Sequence, residues 1–143
     1  MKDYLEELND YITAIESSPG YAESLLKNKL IDAVRNNNVN TVMDIIYKDG
    51  LDVHSFKNGE ITPLMWASQY GFIDIMLIMI NLQVDVNQMS YGGYTALSDA
   101  VVNNNLEAVQ LLLTHGADKS IVNSLGHSLS EMTKNVDILE LLT

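Results

Sequence analysis

The sequence predicts an all-α solenoid of about four helix-turn-helix units with short hairpin loops, preceded by a separate amphipathic helix. Three observations predict it. Thr62-Pro63-Leu64 returns as Thr95-Ala96-Leu97, and Asp85-Val86-Asn87 returns as Asp118-Lys119-Ser120, both at an offset of 33 residues. Between these landmarks, residues 66–71 align in phase with residues 99–104. The triplet Asn36-Asn37-Asn38 recurs as Asn103-Asn104-Asn105, two periods and one inserted residue later, at the same place in the unit. A fixed repeat of this length marks stacked units, none of which can bury its apolar side alone.

At the N-terminus, residues 3–16 place Tyr4, Leu5, Leu8, Tyr11, Ile12 and Ile15 at helical spacing, with Glu6, Glu7, Asp10 and Glu16 outside that stripe. This segment, 1–18, is expected to cap the open end of the stack, which would otherwise expose apolar area. A dimer contact or a partner-binding helix is the alternative. Ser17-Ser18-Pro19-Gly20 ends the segment, and Ser18-Pro19 can open the next helix as cap and first helical residue. The repeat domain then covers 19–143, with units at about 28–57, 58–90, 91–123 and 124–143.

Each unit reads as a short helix, a tight turn and a second helix. In the third unit, Leu97, Ala100 and Val101 mark the buried side of the first helix, and Val109, Leu112 and Leu113 that of the second. The Thr62 and Thr95 hydroxyls can cap free amides, and Pro63 suits a first turn because the N–H it lacks would be unpaired anyway. Asn37, Gly71 and Asn104 fall where a helix-ending turn needs a left-handed backbone. Extended stretches at 84–87 and 116–119 lead to Tyr91-Gly92-Gly93 and Ser124-Leu125-Gly126, which read as hairpin-like turns projecting from the stack.

Length and composition narrow the function. At 143 residues and 47% hydrophobic content the chain can hold one domain with a sizeable core. It has no cysteine, which excludes disulfides and thiolate metal sites and fits a reducing compartment. The longest mainly apolar run, 72–82, is interrupted by Asp74 and Asn81 and is too short to span a bilayer. The acidic N-terminus has no apolar stretch of the kind a secretion signal needs. A cytoplasmic monomer without a membrane partner is expected. The formal charge of −11 repels phosphate backbones, which disfavours nucleic acid, and attracts a basic protein. Ordinary solubility accounts for the same charge without any partner.

These residues resemble the ankyrin-repeat family. The second unit carries Thr62-Pro63-Leu64-Met65-Trp66-Ala67-Ser68-Gln69-Tyr70-Gly71, then an apolar helix and Val84-Asp85-Val86-Asn87. The third carries Gly93-Tyr94-Thr95-Ala96-Leu97, then Leu111-Leu112-Leu113-Thr114-His115-Gly116-Ala117-Asp118. The match runs from Lys29 to the C-terminus. Met65 and Ser98 stand where the family has His, so that residue's hydrogen bonding is expected to be lost. Unit one has one residue more near 47–50, the loop 52–61 has another, and unit four lacks about three near Thr133-Lys134-Asn135. Irregular end units are normal in a solenoid, because one side lacks a neighbour.

The resemblance implies a small single-domain member of the family, a slightly curved stack whose concave side is built from first helices and hairpin tips. It implies a protein–protein interaction module that holds its partner there. A dedicated acidic inhibitor, similar to small ankyrin proteins that neutralise bacterial toxins, is the second reading. The candidate partner-binding residues are Asp32 and Arg35 on one flank, Trp66, Gln69 and Tyr70 in unit two, Tyr91, Tyr94, Asp99 and Asn103 in unit three, and Leu125 and His127 on the other flank. Trp and Tyr combine large apolar area with a polar handle, which is why they so often carry interface energy. Trp66 reads equally as an inter-repeat packing residue. The family also contains targets of asparagine hydroxylation at the position of Asn87; as a residue type it reads first as a turn residue bonding its own backbone.

No catalytic, cofactor or metal assignment is made. His54, His115 and His127 lie in different units without metal-ligand spacing. No Gly-x-Ser-x-Gly elbow is present, and Tyr91-Gly92-Gly93-Tyr94 lacks the Lys-Ser/Thr of a phosphate loop.

Overall fold

A computed structural model describes residues 2–143, which form eight α-helices and no sheet. Helix α1 spans Tyr4–Glu16, α2 Tyr21–Arg35 and α3 Val39–Tyr47. Two regular pairs follow, α4 (Pro63–Tyr70) with α5 (Ile73–Asn81) and α6 (Ala96–Val102) with α7 (Leu106–Thr114). In the last unit the first helix shrinks to a 3₁₀ turn, Leu129–Met132, before α8 (Val136–Leu142).

The period reappears as hydrogen bonds. Thr62, Thr95 and Ser128 follow one another at the sequence period and open successive units. Thr62 Oγ1 accepts from the Met65 N–H at 3.2 Å, and Thr95 Oγ1 from the Ser98 N–H at 3.3 Å. The reciprocal bond comes from the side chain three residues on. Met65 Sδ accepts from the Thr62 N–H at 3.4 Å, Ser98 Oγ from the Thr95 N–H at 2.7 Å, and Glu131 Oε2 from the Ser128 N–H at 2.7 Å. The bonding expected to be lost with the family His is therefore kept, because thioether, hydroxyl and carboxylate can all accept.

The turn between paired helices is equally regular. Asn37, Gly71 and Asn104 have positive φ of 52°, 71° and 56°. That backbone reversal brings the next N–H onto the preceding helix: Asn38 donates to the Ala33 carbonyl at 2.8 Å, Phe72 to Ala67 at 2.9 Å and Asn105 to Ala100 at 2.9 Å. Unit four lacks the residues for this turn. Thr133 and Asn135 run extended instead, and the Thr133 hydroxyl donates to Asn104 Oδ1 at 2.8 Å, fastening the last unit to the third.

Packing follows two rows. First helices pack in series, α2 on α4, α4 on α6 and α6 on the 3₁₀ turn, while α3, α5, α7 and α8 form the second row. Leu64, Leu97, Ala67 and Ala100 fill the first row, the alanines lacking the bulk that would push the helices apart. Ile75, Met76, Met79, Val109, Leu112 and Ile138 fill the second and are fully buried. Each large apolar side chain so buried contributes about 1.5–3 kcal/mol.

Helix α1 forms over the residues its spacing indicates, with Asp3 accepting from the Glu6 N–H as its cap. The stripe expected to seat on the open end of the stack nevertheless faces solvent: Tyr4 is 75% exposed, and no residue of α1 is buried. The local cause lies in α2. It begins at Tyr21, well before the expected unit start, and nothing in it before Leu30 is buried. With Gly20 at φ 85° turning the chain, α1 lies against α2, which overhangs the stack.

Candidate protein-binding face

The hairpins set the geometry of the face. The Ser90 N–H donates to the Tyr94 carbonyl at 2.9 Å, and the Asn123 N–H to His127 at 3.1 Å, two copies of one turn at the repeat offset. Neighbouring tips are stitched together. Gly59 donates to the Met89 carbonyl at 2.9 Å, Tyr91 donates to the Gly59 carbonyl at 3.0 Å, and Ser124 donates to the Gly92 carbonyl at 2.9 Å. Gly93, at φ 74°, has no room for a side chain, since a Cβ there would lie 3.1 Å from the Ser124 nitrogen. The tips thus form a fixed row, unlike three independent loops.

A stack of π-systems runs from the end of α2 along α4 to the start of α5. The Arg35 guanidinium lies 5.0 Å from the centroid of the Trp66 ring. Trp66 stacks on Tyr70, centroids 6.1 Å apart and planes 10° from parallel, and Tyr70 on Phe72 at 5.3 Å and 21°. Trp66 is half-buried and packs against the core, as the packing reading expects, while Tyr70 is exposed and leaves one side of the stack open.

A cleft of about 330 Å³ opens between α4, α6 and the hairpin tips, lined by Gly59, Ile61, Gln69, Ser90, Tyr91, Tyr94 and Asp99. Four of the candidate residues, Gln69, Tyr91, Tyr94 and Asp99, thus meet around one space. The Tyr91 ring lies across Gly59, where a Cβ would stand 3.0 Å from the ring, yet 88% of Tyr91 remains exposed. Asp99 is half-buried on α6, and burial alone raises its carboxyl to about 7.

The remaining candidates lie outside these two features. Asp32 is exposed on α2, where its carbonyl accepts from the Asn36 side chain at 2.8 Å. Asn103 is exposed, with its amide donating to the Asp99 carbonyl at 2.8 Å. Leu125, 75% exposed, and His127 sit on the last hairpin.

The sequence reading missed several residues of the face. Ile61, 49% exposed, stands between the cleft and a second one of about 410 Å³ that is lined by α2 and the 56–61 loop. Lys27 crosses that second cleft, donating to the Ser55 carbonyl at 2.8 Å, with Glu23 at 3.3 Å, Glu60 at 3.7 Å and the Phe56 ring centroid at 5.0 Å. No local motif joins Lys27 to Phe56 and Glu60. Their only shared signal is the loop's departure from the strict period.

Asn87 also differs from its expected role. Its side chain does not bond its own backbone but bridges to unit three, accepting from the Asp118 N–H at 2.8 Å and donating to the Gly116 carbonyl at 3.2 Å. The Asp85 carboxylate takes the Asn87 N–H instead, at 2.9 Å. Asn105 makes a similar bridge, donating to the Ser68 and Gln69 carbonyls at 2.9 and 2.8 Å. Among the described residues no three His, Cys, Asp or Glu side chains converge as a metal site, and no helix is long and apolar enough to cross a membrane.

Repeated capping boxes, repeated left-handed turns and stitched hairpin tips define a helical-repeat solenoid. A family model of ankyrin repeats in three copies matches residues 30–123, and the chain belongs to the ankyrin-repeat family. It is similar to human BCL-6 corepressor-like protein 1, 32% identical over 91% of this chain and 8% of that protein. A putative ankyrin repeat protein of fowlpox virus (strain NVSL) is 31% identical over 81% of this chain and 36% of its own length. The ankyrin repeat and SAM domain-containing protein 6 of Rattus norvegicus is 29% identical over 80% of this chain and 13% of its own length. The chain therefore spans well under half the length of each of these relatives. Ankyrin repeats imply protein partners in general.

Proposed function

We propose that the chain binds a protein partner across its first helices and hairpin tips, the concave face of the stack, without catalysing a reaction. The observation that supports this reading is that α4 carries both Trp66 and Tyr70 of the Arg35–Trp66–Tyr70–Phe72 stack and Gln69, which lines the cleft with Tyr91, Tyr94 and Asp99. Half-exposed aromatic surface held on rigid elements binds at low entropic cost, because little has to be ordered on association. The outlying candidates Asp32, Asn103, Leu125 and His127 would form the polar and apolar rim.

The charge of −11 favours a basic partner and supports the second reading, an acidic inhibitor that masks a basic protein. An adaptor and an inhibitor differ in consequence: only the inhibitor abolishes an activity of the protein it holds.

The test is affinity for the protein captured from extracts of the source cells by the immobilised chain and identified by mass spectrometry. Tyr70→Ala with Tyr94→Ala should keep the native circular dichroism and weaken that binding at least about tenfold. Unchanged affinity in the folded double variant would remove this face from the account.

A further inference from the structure

We infer that the cleft between α4, α6 and the 59–61 and 90–94 tips is a subsite for an arginine side chain of the protein partner, with Asp99 as its counter-charge. The inference rests on the binding-face reading and specifies its chemistry.

The repeat itself supplies the argument. The turn residues Asn37, Gly71 and Asn104 share one conformation, which fixes the equivalence of the units around them. By that equivalence Asp99 on α6 takes the place of Trp66 on α4, and Gln69 on α4 takes the place of Arg35 on α2. In the earlier pair, Arg35 lays its guanidinium over Trp66 at 5.0 Å. In the later pair the cation has become a neutral amide and the ring has become a carboxylate, and both line the same cleft. Unit three thus carries the anion of a cation site whose internal cation is missing.

The surroundings select the occupant. Asp99 makes no salt bridge among those of the described residues, and the single cause of its raised pKa is burial, with no charge or hydrogen bond offsetting it. The walls are the Tyr91 and Tyr94 side chains and Ile61. An ammonium gives up its strong hydration reluctantly against such walls. A guanidinium is more weakly hydrated, stacks on aromatic faces and pairs with a carboxylate through parallel N–H bonds. The charge of −11 adds attraction at a distance.

The experiment uses the tripeptide acetyl-Ala-Arg-Ala-amide, titrated into the isotopically labelled full chain at about pH 8, above the raised pKa of the carboxyl. Amide resonances are followed. Saturable shifts are expected at Gln69, Ser90, Tyr91, Tyr94 and Asp99, with a dissociation constant on the order of a millimolar. The citrulline tripeptide, equal in shape but uncharged, and the folded Asp99→Asn variant should each bind at least about tenfold more weakly. Gln69→Arg should abolish binding, because an internal guanidinium then fills the cleft as Arg35 covers Trp66. Equal binding of the citrulline peptide, shifts centred on other residues, or full binding by Asp99→Asn would overturn the subsite. If the captured partner still loses affinity on Tyr70→Ala with Tyr94→Ala, such a result overturns the arginine subsite alone. If that affinity is also unchanged, the face itself is wrong.

Discussion

Arg35, the last residue of α2, holds its guanidinium 5.0 Å from the centre of the Trp66 ring on α4, so one repeat lends a cation to the aromatic surface of the next. The pair faces solvent on one side, which limits its strength. Arg35→Ala should lower stability by about 0.5–1 kcal/mol in urea unfolding, and Arg35→Lys by less. A double-mutant cycle with Trp66→Leu should return a coupling of the same size. Zero coupling would mean that the two side chains are merely neighbours.

Asn105 ties the third unit to the second. Its amide is the donor to both the Ser68 and Gln69 carbonyls at the end of α4. Asn105→Ala removes that donor, leaving the Ser68 carbonyl only the longer bond from the Gly71 N–H at 3.4 Å, and should cost about 1–3 kcal/mol. Asn105→Asp should cost at least as much, since an ionised carboxylate can only accept. Thermal unfolding of both variants measures this; a loss within experimental error would show the bridge to be dispensable.

Asp99 makes stability depend on pH. Its ordinary value is 3.8, and in the fold burial raises it to about 7. The folded chain therefore holds this proton more tightly than the unfolded one. Its contribution to stability is complete below pH 3.8 and is lost as pH rises through 7. On the elements packed against α6 the titratable side chains are Tyr70 on α4, Glu107 on α7 and Glu131 in the 3₁₀ turn, with Tyr91 and Tyr94 in the adjoining hairpin. None contributes to the shift, whose one cause is burial. Relative to Asp99→Asn, the native chain should weaken across that window by about 2 kcal/mol, less than the whole shift implies because part of Asp99 stays in water. Urea unfolding of both proteins across the window provides the check. A constant difference between them contradicts the assignment.

Helix α1 contributes no buried residue. Deleting residues 2–18 should change the unfolding free energy of the stack by less than about 1 kcal/mol, the range expected of exposed positions. A loss of several kcal/mol would mean that the stripe of Leu5, Leu8, Ile12 and Ile15 seats on the stack in solution.

Much of the fold was legible because its determinants are local. Thr62 and Thr95 act through amides three residues away, and Asn37 and Asn104 through their own φ, so both signals repeat with the sequence. The same locality explains why a Met and a Ser could replace the family His without loss of the capping bond. What escaped notice acts across the period. Asn87 and Asn105 look like turn residues, yet they bond the neighbouring repeat, and only the stacked structure brings their partners within reach. The last first-helix became a 3₁₀ turn because the residues missing near Thr133 leave no length for a full pair. At the face, residue type pointed to Tyr91, Tyr94 and Asp99 singly. Their convergence, together with Gly59 and Ile61 from the preceding loop, needed the stitched hairpin tips.

The claim at the centre is that the partner lies on the first helices and hairpin tips. Hydrogen exchange of the chain, alone and with its captured partner bound, tests it most directly. The account predicts slower exchange in the 90–94 and 123–127 hairpins and in the last turns of α4 and α6, with α3, α5 and α7 unchanged. Protection confined to α3, α5 and α7 would place the partner on the opposite side and contradict it.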